Sequence, residues 1–155
     1  MTYKKMAEKN IAMLHVKCTR GIFSDRLFKT VARGAEQFYP LHDLMWMKDF
    51  LRCEEQHIAA GCLDALVRHG YSLAECEDVL RERVRDRIFS NAAIDLAGEM
   101  NKPDTLLIYM DEDLGYLNKV IVTLKKTKNE LYLTSLMLSD NDALVNAVNR
   151  ITKGI

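Results

Sequence analysis

Only two prolines and seven glycines interrupt the 155 residues of the chain. Proline breaks helix interiors and glycine weakens them, so long segments with few of either can remain helical. The longest such segment runs from Leu41 to His69, between Pro40 and Gly70, and its apolar residues recur at helical spacing. We therefore predict that residues 1–100 are mainly helical.

Capping signals divide this part of the chain into about five helices. Ser24 and Gly34 flank DRLFKTVAR in the positions of an N-cap and a left-handed C-terminal glycine. Ser72 and Glu75 form an S-x-x-E capping box, which marks a further helix start. Polar and apolar residues alternate within residues 10–18, so a strand is an alternative to a helix there. The predicted helices cover about 3–18, 25–33, 41–69, 72–89 and 91–100.

The pattern changes after Pro103. The segments TLLIYM, YLNKVIVTLKK and ELYLTSLML are rich in β-branched and aromatic residues and are separated by DEDLG and TKN. They predict a three-stranded antiparallel meander over residues 104–138. An S-D-N-D cluster then starts a predicted C-terminal helix over 140–152. We thus predict a single α+β domain, 1–155, with an N-terminal helical bundle, a meander and a final helix.

Charge and cysteine content narrow the classes of function. The chain has 22 basic and 22 acidic residues, so no global field attracts it to nucleic acid or an anionic membrane. Near-neutral proteins self-associate readily, which makes a homodimer a further expectation. The four cysteines lack paired spacing, the N-terminus lacks a secretory apolar region, and no apolar run approaches ~20 residues. We expect a cytoplasmic protein without membrane association.

The stretch RCEEQHIAAGC suggests a metal site. Cys53 and His57 are four residues apart and would share one face of a helix. A structural zinc needs four ligands and a catalytic zinc needs three, whereas this pair supplies two. Our interpretation is therefore a structural role for this stretch and no cofactor, with a metal-binding helical protein as the lesser alternative.

Three features suggest contacts with a partner protein. RERVRDR places Arg81 and Arg85 on one predicted helical face, with interleaved acidic residues that suit ion pairs. DEDLG collects carboxylates in a predicted hairpin loop, and the sole tryptophan lies between two methionines, a composition favoured at interfaces. The predicted partner-binding residues are Asp111, Glu112, Asp113, Arg81, Arg85 and Trp46.

Signatures of nucleophilic catalysis and phosphate cradling are missing, since the chain has no G-x-S-x-G, G-x-x-x-x-G-K-[ST] or G-x-G-x-x-G. One catalytic alternative is a small metal-independent ribonuclease, with a histidine acting as acid or base over an antiparallel sheet. Its candidate residues are His15, His69, Lys119, Tyr132, Thr134 and Ser135. The balanced charge disfavours nucleic acid as the partner.

The sequence favours a non-enzymatic module that binds another protein, for example as an inhibitor, immunity-type protein or adaptor. This interpretation depends mostly on the missing catalytic patterns. It also depends on the mixture of acidic and basic segments, which could complement the charges of a partner.

Overall fold

A computed structural model describes residues 2–35 and 37–126, together with the isolated positions 138, 140, 142, 145–146 and 148–149. The described residues form eight α-helices. These are α1 (Tyr3–Thr19), α2 (Asp25–Ala32), α3 (Leu41–Leu44), α4 (Gln56–Arg68), α5 (Glu77–Glu82), α6 (Arg87–Glu99), α7 (Pro103–Leu106) and α8 (Leu117–Lys126). Short 3-10 segments occur at Met45–Phe50, Leu73–Cys76, Leu107–Tyr109 and Glu112–Leu114.

Helix α4 lies at the centre of the molecule and packs against α2, α6 and the 3-10 segment Met45–Phe50. Apolar residues surround it on nearly every side, which is typical of a helix buried in a core. Its buried residues are Ile58, Ala59, Ala60, Cys62, Leu63, Ala65, Leu66 and Val67. Gly61 allows α2 to approach closely, since a Cβ at this position would lie 2.7 Å from the Phe28 ring.

The predicted α+β fold is wrong, because the described residues contain no strand. Within the first predicted strand, 105–110, residues 105–109 belong to α7 and the following 3-10 turn. Pro103 occupies the first turn of α7, where its missing N–H costs no helical hydrogen bond. Leu106 and Tyr109, three residues apart, are both buried, as one face of a helical segment requires.

The second predicted strand, 116–126, is mostly α8. Leu117, Val120, Ile121 and Leu124 recur at intervals of three, one and three residues, and the last three are fully buried. That spacing builds one continuous helical face, whereas an alternating strand would place these apolar residues on both faces. Packing against α6 therefore outweighs the intrinsic strand preference of valine and isoleucine, which is small and depends on context.

Most of the third predicted strand, 130–138, and much of the predicted helix 140–152 lie outside the described residues. Positions 142, 145–146 and 148–149 are helical, and Val148 is fully buried in the core. Within the described residues, no helix combines the length and apolar character needed to cross a bilayer.

The predicted long helix 41–69 is not continuous: α3 is followed by the 3-10 segment Met45–Phe50, residues 51–55 are not helical, and α4 begins at Gln56. Arg83 reaches into this gap from another part of the chain. The Arg83 side chain is only 10% exposed. Its Nη1 donates hydrogen bonds to the carbonyl oxygens of Leu51 at 2.8 Å and Cys53 at 2.6 Å. These carbonyls are thus satisfied without a helical partner. The carboxylate of Glu55 then caps α4 by accepting a hydrogen bond from the His57 N–H at 3.2 Å.

The same arginine marks a second break. The helix predicted to run to Phe89 stops at Glu82, and α6 begins at Arg87. Arg83 Nε donates to Asp86 Oδ2 at 2.8 Å, and the Ser90 hydroxyl donates to the carbonyl oxygens of Arg83 and Val84. Side chains therefore satisfy the backbone groups that the break leaves unpaired.

Glycines end helices in two different ways. Gly70 adopts a φ of +105° just after α4, a conformation that favours glycine. Gly34 was predicted to be left-handed but is not among the residues with positive φ. Its small size serves packing, because a Cβ there would lie 1.8 Å from the buried ring of Tyr39.

Candidate functional site

The predicted partner residue Trp46 lies partly buried beneath His15. The imidazole stacks on the indole with 4.2 Å between ring centroids and an interplanar angle of 15°, and Phe50 meets Trp46 edge-on at 5.6 Å. The indole N–H is buried, without a hydrogen-bond partner among the described residues. Trp46 thus contributes to packing between α1 and the 3-10 segment Met45–Phe50.

Arg81 and Arg85 do not share a helical face, because α5 ends at Glu82 and Arg85 lies between helices. Arg81 pairs with Glu77 at 2.8 Å, as their four-residue spacing predicts. Arg85 is exposed. Their contact with a partner stays a prediction.

The acidic residues at 111–113 lie at a short 3-10 turn, Glu112–Leu114, rather than in the loop of a hairpin. The backbone N–H of Asp113 donates to Asp111 Oδ1 at 3.0 Å, and both residues are exposed. An aspartate that hydrogen-bonds two residues ahead stabilises a turn locally. This geometry does not test partner binding by Asp111, Glu112 and Asp113, which stays a prediction.

The structure describes three residues of the ribonuclease alternative, His15, His69 and Lys119, and does not bring them together. Lys119 lies on α8, not on a strand, and pairs with Asp95 at 3.2 Å. His69 is buried, with Nδ1 2.8 Å from the Ala65 carbonyl oxygen and Nε2 3.2 Å from that of Gly34. His15 is exposed on α1. Tyr132, Thr134 and Ser135 lie outside the described residues.

The metal alternative required Cys53 and His57 on one helix. Cys53 instead precedes α4, while His57 lies in its first turn with its ring 5.0 Å from that of Phe23. Among the residues that the structure describes, no three histidine, cysteine or acidic side chains cluster in a way that could hold a metal ion.

The four cysteines are free thiols, and all but Cys53 are buried. Hydrogen bonding to Cys18, followed by burial, raises the pKa of the Cys62 thiol. Burial raises the pKa of Cys76 to about 11. Only a thiolate reacts readily with alkylating agents. Cys62 and Cys76 are therefore protected from alkylation, because they are buried and their raised pKa values keep them protonated.

We expect iodoacetamide at pH ~8 to alkylate Cys53 at least ~100-fold faster than Cys62 or Cys76, because both of these thiols are buried with raised pKa values, and the Cys76 thiol, with a pKa of about 11, is then only ~0.1% ionised. Peptide mass spectrometry of timed reactions measures each rate. The unfolded chain in guanidinium is the control and should react at all four sites alike. Fast native labelling of Cys76 would contradict the buried position.

Basic residues are concentrated at the start of the chain. Residues 1–33 contain eight basic and two acidic residues, which leaves 14 basic and 20 acidic residues in the remainder. The eight are Lys4, Lys5, Lys9, Lys17, Arg20, Arg26, Lys29 and Arg33, against Glu8 and Asp25. The balanced total therefore conceals a positive N-terminal part, which maps onto α1, α2 and their connection.

These positive charges are largely uncompensated. Within the described part of the chain, Lys29 alone among the eight forms a salt bridge, with Asp25 at 2.8 Å. By contrast, Arg52, Arg68, Arg81 and Arg83 each contact a carboxylate at 2.5–2.8 Å. Unpaired cations on one surface create a local positive potential that can attract an acidic ligand.

A groove of about 330 Å³ lies between the first two helices. We name it the α1–α2 groove. Its lining residues are Asn10, Met13 and Lys17 on α1, Arg26, Leu27 and Thr30 on α2, and Ser24 before α2. None of these described lining residues is acidic. The groove therefore combines two cations with two apolar side chains, an arrangement suited to an acidic ligand that also has apolar groups.

A larger cleft of about 460 Å³ lies between α2, α4 and α6, but most of its charges are paired internally. Arg68 contacts Asp64 at 3.1 Å and Glu99 at 2.5 Å, while Lys29 contacts Asp25. Burial raises the pKa of Asp64 despite the neighbouring Arg68 guanidinium. These mutual pairs leave less unbalanced charge for a ligand than the α1–α2 groove does.

Comparison with known proteins does not identify the chain, because no protein-family model, curated protein or solved structure matches it. The α1–α2 groove was not predicted from sequence, although two signals for it are present. One is the charge count over a block of residues rather than the whole chain. The other is that residues 3–16 contain more apolar side chains than one buried helical face requires.

Proposed function

We propose that the chain is a non-enzymatic protein-binding module, of the inhibitor, immunity or adaptor type, whose α1–α2 groove binds an acidic segment of another protein. The observation that carries this proposal is a pair of cations with no carboxylate partner among the described residues, beside the exposed Met13 and the half-buried Leu27. Lys17 and Arg26 line the groove together with Met13 and Leu27. Opposite charges guide association and select the partner, while apolar contact supplies affinity.

The apolar side chains favour a protein over a nucleic acid as the ligand. Nucleic acids are bound mainly through their phosphates by Lys and Arg, with aromatic side chains stacking on unpaired bases. The groove is lined by a methionine and a leucine and by no aromatic ring among its described residues. Methionine adapts its shape to apolar protein surfaces and is common at binding sites for varied partners.

Free cysteines support a reducing compartment, so we propose that the module acts in the cytoplasm. All four cysteines are free thiols, and persistent disulfides are typical of oxidising compartments.

The test measures binding of a fluorescein-labelled peptide of glutamate and leucine in shuffled order, about 20 residues long, by fluorescence anisotropy. The peptide should bind the wild-type chain, and Lys17→Glu with Arg26→Glu should weaken binding about tenfold or more, because attraction becomes repulsion. Raising the salt concentration should weaken wild-type binding, since exposed charges are screened.

The matched control is Lys102→Glu with Lys126→Glu, which makes the same change in net charge at exposed positions outside the groove. This variant should bind within about twofold of the wild type, and circular dichroism should show both variants folded. Equal losses in the two variants would refute a role for the groove. Tighter binding to a single-stranded RNA, lost on substituting Lys17 and Arg26, would refute a protein ligand.

A further inference from the structure

Helix α1 has two apolar seams rather than one. The first seam, Ala7, Ile11, Leu14 and Cys18, is buried in the core. The second seam is Tyr3, Met6, Asn10, Met13 and Lys17, with successive gaps of three, four, three and four residues. Met6, Asn10, Met13 and Lys17 each lie one position before a residue of the buried seam. One residue step corresponds to about 100° around a helix, so the second seam is rotated from the buried one by that angle.

Three residues of the second seam are open to solvent, while Asn10 and Lys17 are half-buried. Tyr3 is 77% exposed, Met6 47% and Met13 42%. Asn10, Met13 and Lys17 line the α1–α2 groove, and towards the N-terminus the Tyr3 ring lies 6.0 Å from that of Phe38. The seam therefore runs the length of the groove and beyond it, over about 21 Å for fourteen residue steps.

Alternating gaps of three and four residues match the packing of one helix against another. Side chains at such positions insert between those of a facing helix in the manner of a coiled coil. Lys17 is a polar residue in this seam, and a single polar residue there fixes the register of the paired helices, whereas Asn10 Nδ2 donates a hydrogen bond to the Tyr39 hydroxyl within the chain at 3.4 Å. An extended peptide would present side chains with a period of two and would not match this spacing.

We propose that the occupant of the α1–α2 groove is an amphipathic helix of another protein, with apolar residues at heptad spacing and acidic residues on its flanks. This inference rests on the proposed function and specifies the structure of its partner. The acidic flanks follow from Lys9, Lys17, Arg20 and Arg26, which border the seam and groove and have no carboxylate partner among the described residues.

A second copy of the chain fits this groove poorly. Helix α1 carries Lys4, Lys5, Lys9 and Lys17 against a single acidic residue, Glu8. Glu8 lines a different pocket, beside His15 and Trp46. Pairing two copies of α1 would therefore bring like charges together, which opposes association.

The test compares two peptides of identical glutamate and leucine composition, each about 20 residues long. One has leucine at heptad spacing, and the other is the shuffled peptide already described. The wild-type chain should bind the heptad peptide about tenfold or more tightly than the shuffled one by fluorescence anisotropy. Circular dichroism of the mixture should show helix gained on binding.

Two variants of the chain locate the contact. Met13→Glu places a negative charge in the seam and should weaken heptad-peptide binding about tenfold or more. Ala12→Glu is the matched control, because Ala12 is an exposed neighbour on α1 that lines the Glu8 pocket instead, and its effect should stay within about threefold. Thermal unfolding verifies that both variants fold.

The outcomes separate this inference from the proposed function. Equal binding of both peptides overturns the helical partner but leaves an acidic ligand intact. Binding of neither peptide overturns the proposed function and this inference together. Concentration-dependent dimerisation of the chain alone, seen by analytical ultracentrifugation and abolished by Met13→Glu, overturns the inference in favour of a second copy.

Discussion

Replacing Arg83 with methionine should lower the free energy of unfolding by about 3–5 kcal/mol, the range found when one partner of a buried ion pair is removed. Arg83 donates to the carbonyl oxygens of Leu51 and Cys53 and to the Asp86 carboxylate. Methionine would fill much of the volume but would leave these acceptors without a donor. Urea denaturation followed by circular dichroism measures the change.

Arg81→Met is the matched control, two residues away. The Arg81 side chain is 60% exposed and, among the described residues, forms its ion pair with Glu77, so its loss should cost less than about 1 kcal/mol. Arg83→Lys should fall between the two, because an ammonium group cannot reproduce the forked geometry of a guanidinium. If Arg83→Met and Arg81→Met had equal effects, Arg83 would not be the residue that joins these segments.

Replacing Gly61 with valine should destabilise the protein by about 3 kcal/mol, at the upper end of overpacking costs. The Cβ alone would lie 2.7 Å from two carbons of the Phe28 ring, and Phe28 is only 3% exposed, so the ring cannot move into solvent cheaply. Gly61→Ala should also destabilise, although alanine favours a helix by about 1 kcal/mol over glycine. Thermal and urea unfolding show whether each substitution raises or lowers the stability of the protein.

The double variant Gly61→Ala with Phe28→Ala identifies the cause of this loss. With the ring removed, alanine at 61 should no longer destabilise relative to Phe28→Ala alone, because only its helix propensity remains. Gly21→Ala is a second control, since nothing lies within 4 Å of its Cβ position and only its φ of +73° opposes the change. A stabilised Gly61→Ala single variant would refute the close approach.

Sequence reasoning predicted α1, α2 and the end of α4 because their cues are local, whereas the predicted helix 41–69 is divided into α3, a 3-10 segment and α4. Pro40 and Gly70 mark boundaries through their own backbone preferences, whereas Ser24 precedes α2 without a side-chain capping hydrogen bond. The break at residues 51–55 was not predictable in this way. It depends on Arg83, about thirty residues later, and only tertiary structure brings that side chain to the Leu51 and Cys53 carbonyls.

The predicted meander failed because residue composition was weighed above spacing. Val120 and Ile121 favour strands weakly, yet they also belong to the helical series with Leu117 and Leu124. Where the two signals disagree, burial of a continuous apolar face decides, since strand propensity amounts to no more than about 1 kcal/mol and varies with context.

The candidate site was missed for a different reason. A net charge of zero averages a positive N-terminal part against a negative remainder, so the total says nothing about the groove. The spacing of Tyr3, Met6 and Met13 was visible in the sequence, but only the structure shows that the core uses the neighbouring seam. Which of two apolar seams faces solvent depends on how α1 packs against α2 and the 3-10 segment Met45–Phe50.

The two seams of α1 have separate roles. One holds the helix in place, and the other faces outward, where other molecules can contact it. Ile11 and Leu14 anchor it, whereas Met6 and Met13 support little of the core. Random substitution at the outward positions should therefore yield mostly folded chains with altered preferences. Selection could change what such a protein recognises without first having to repair its interior.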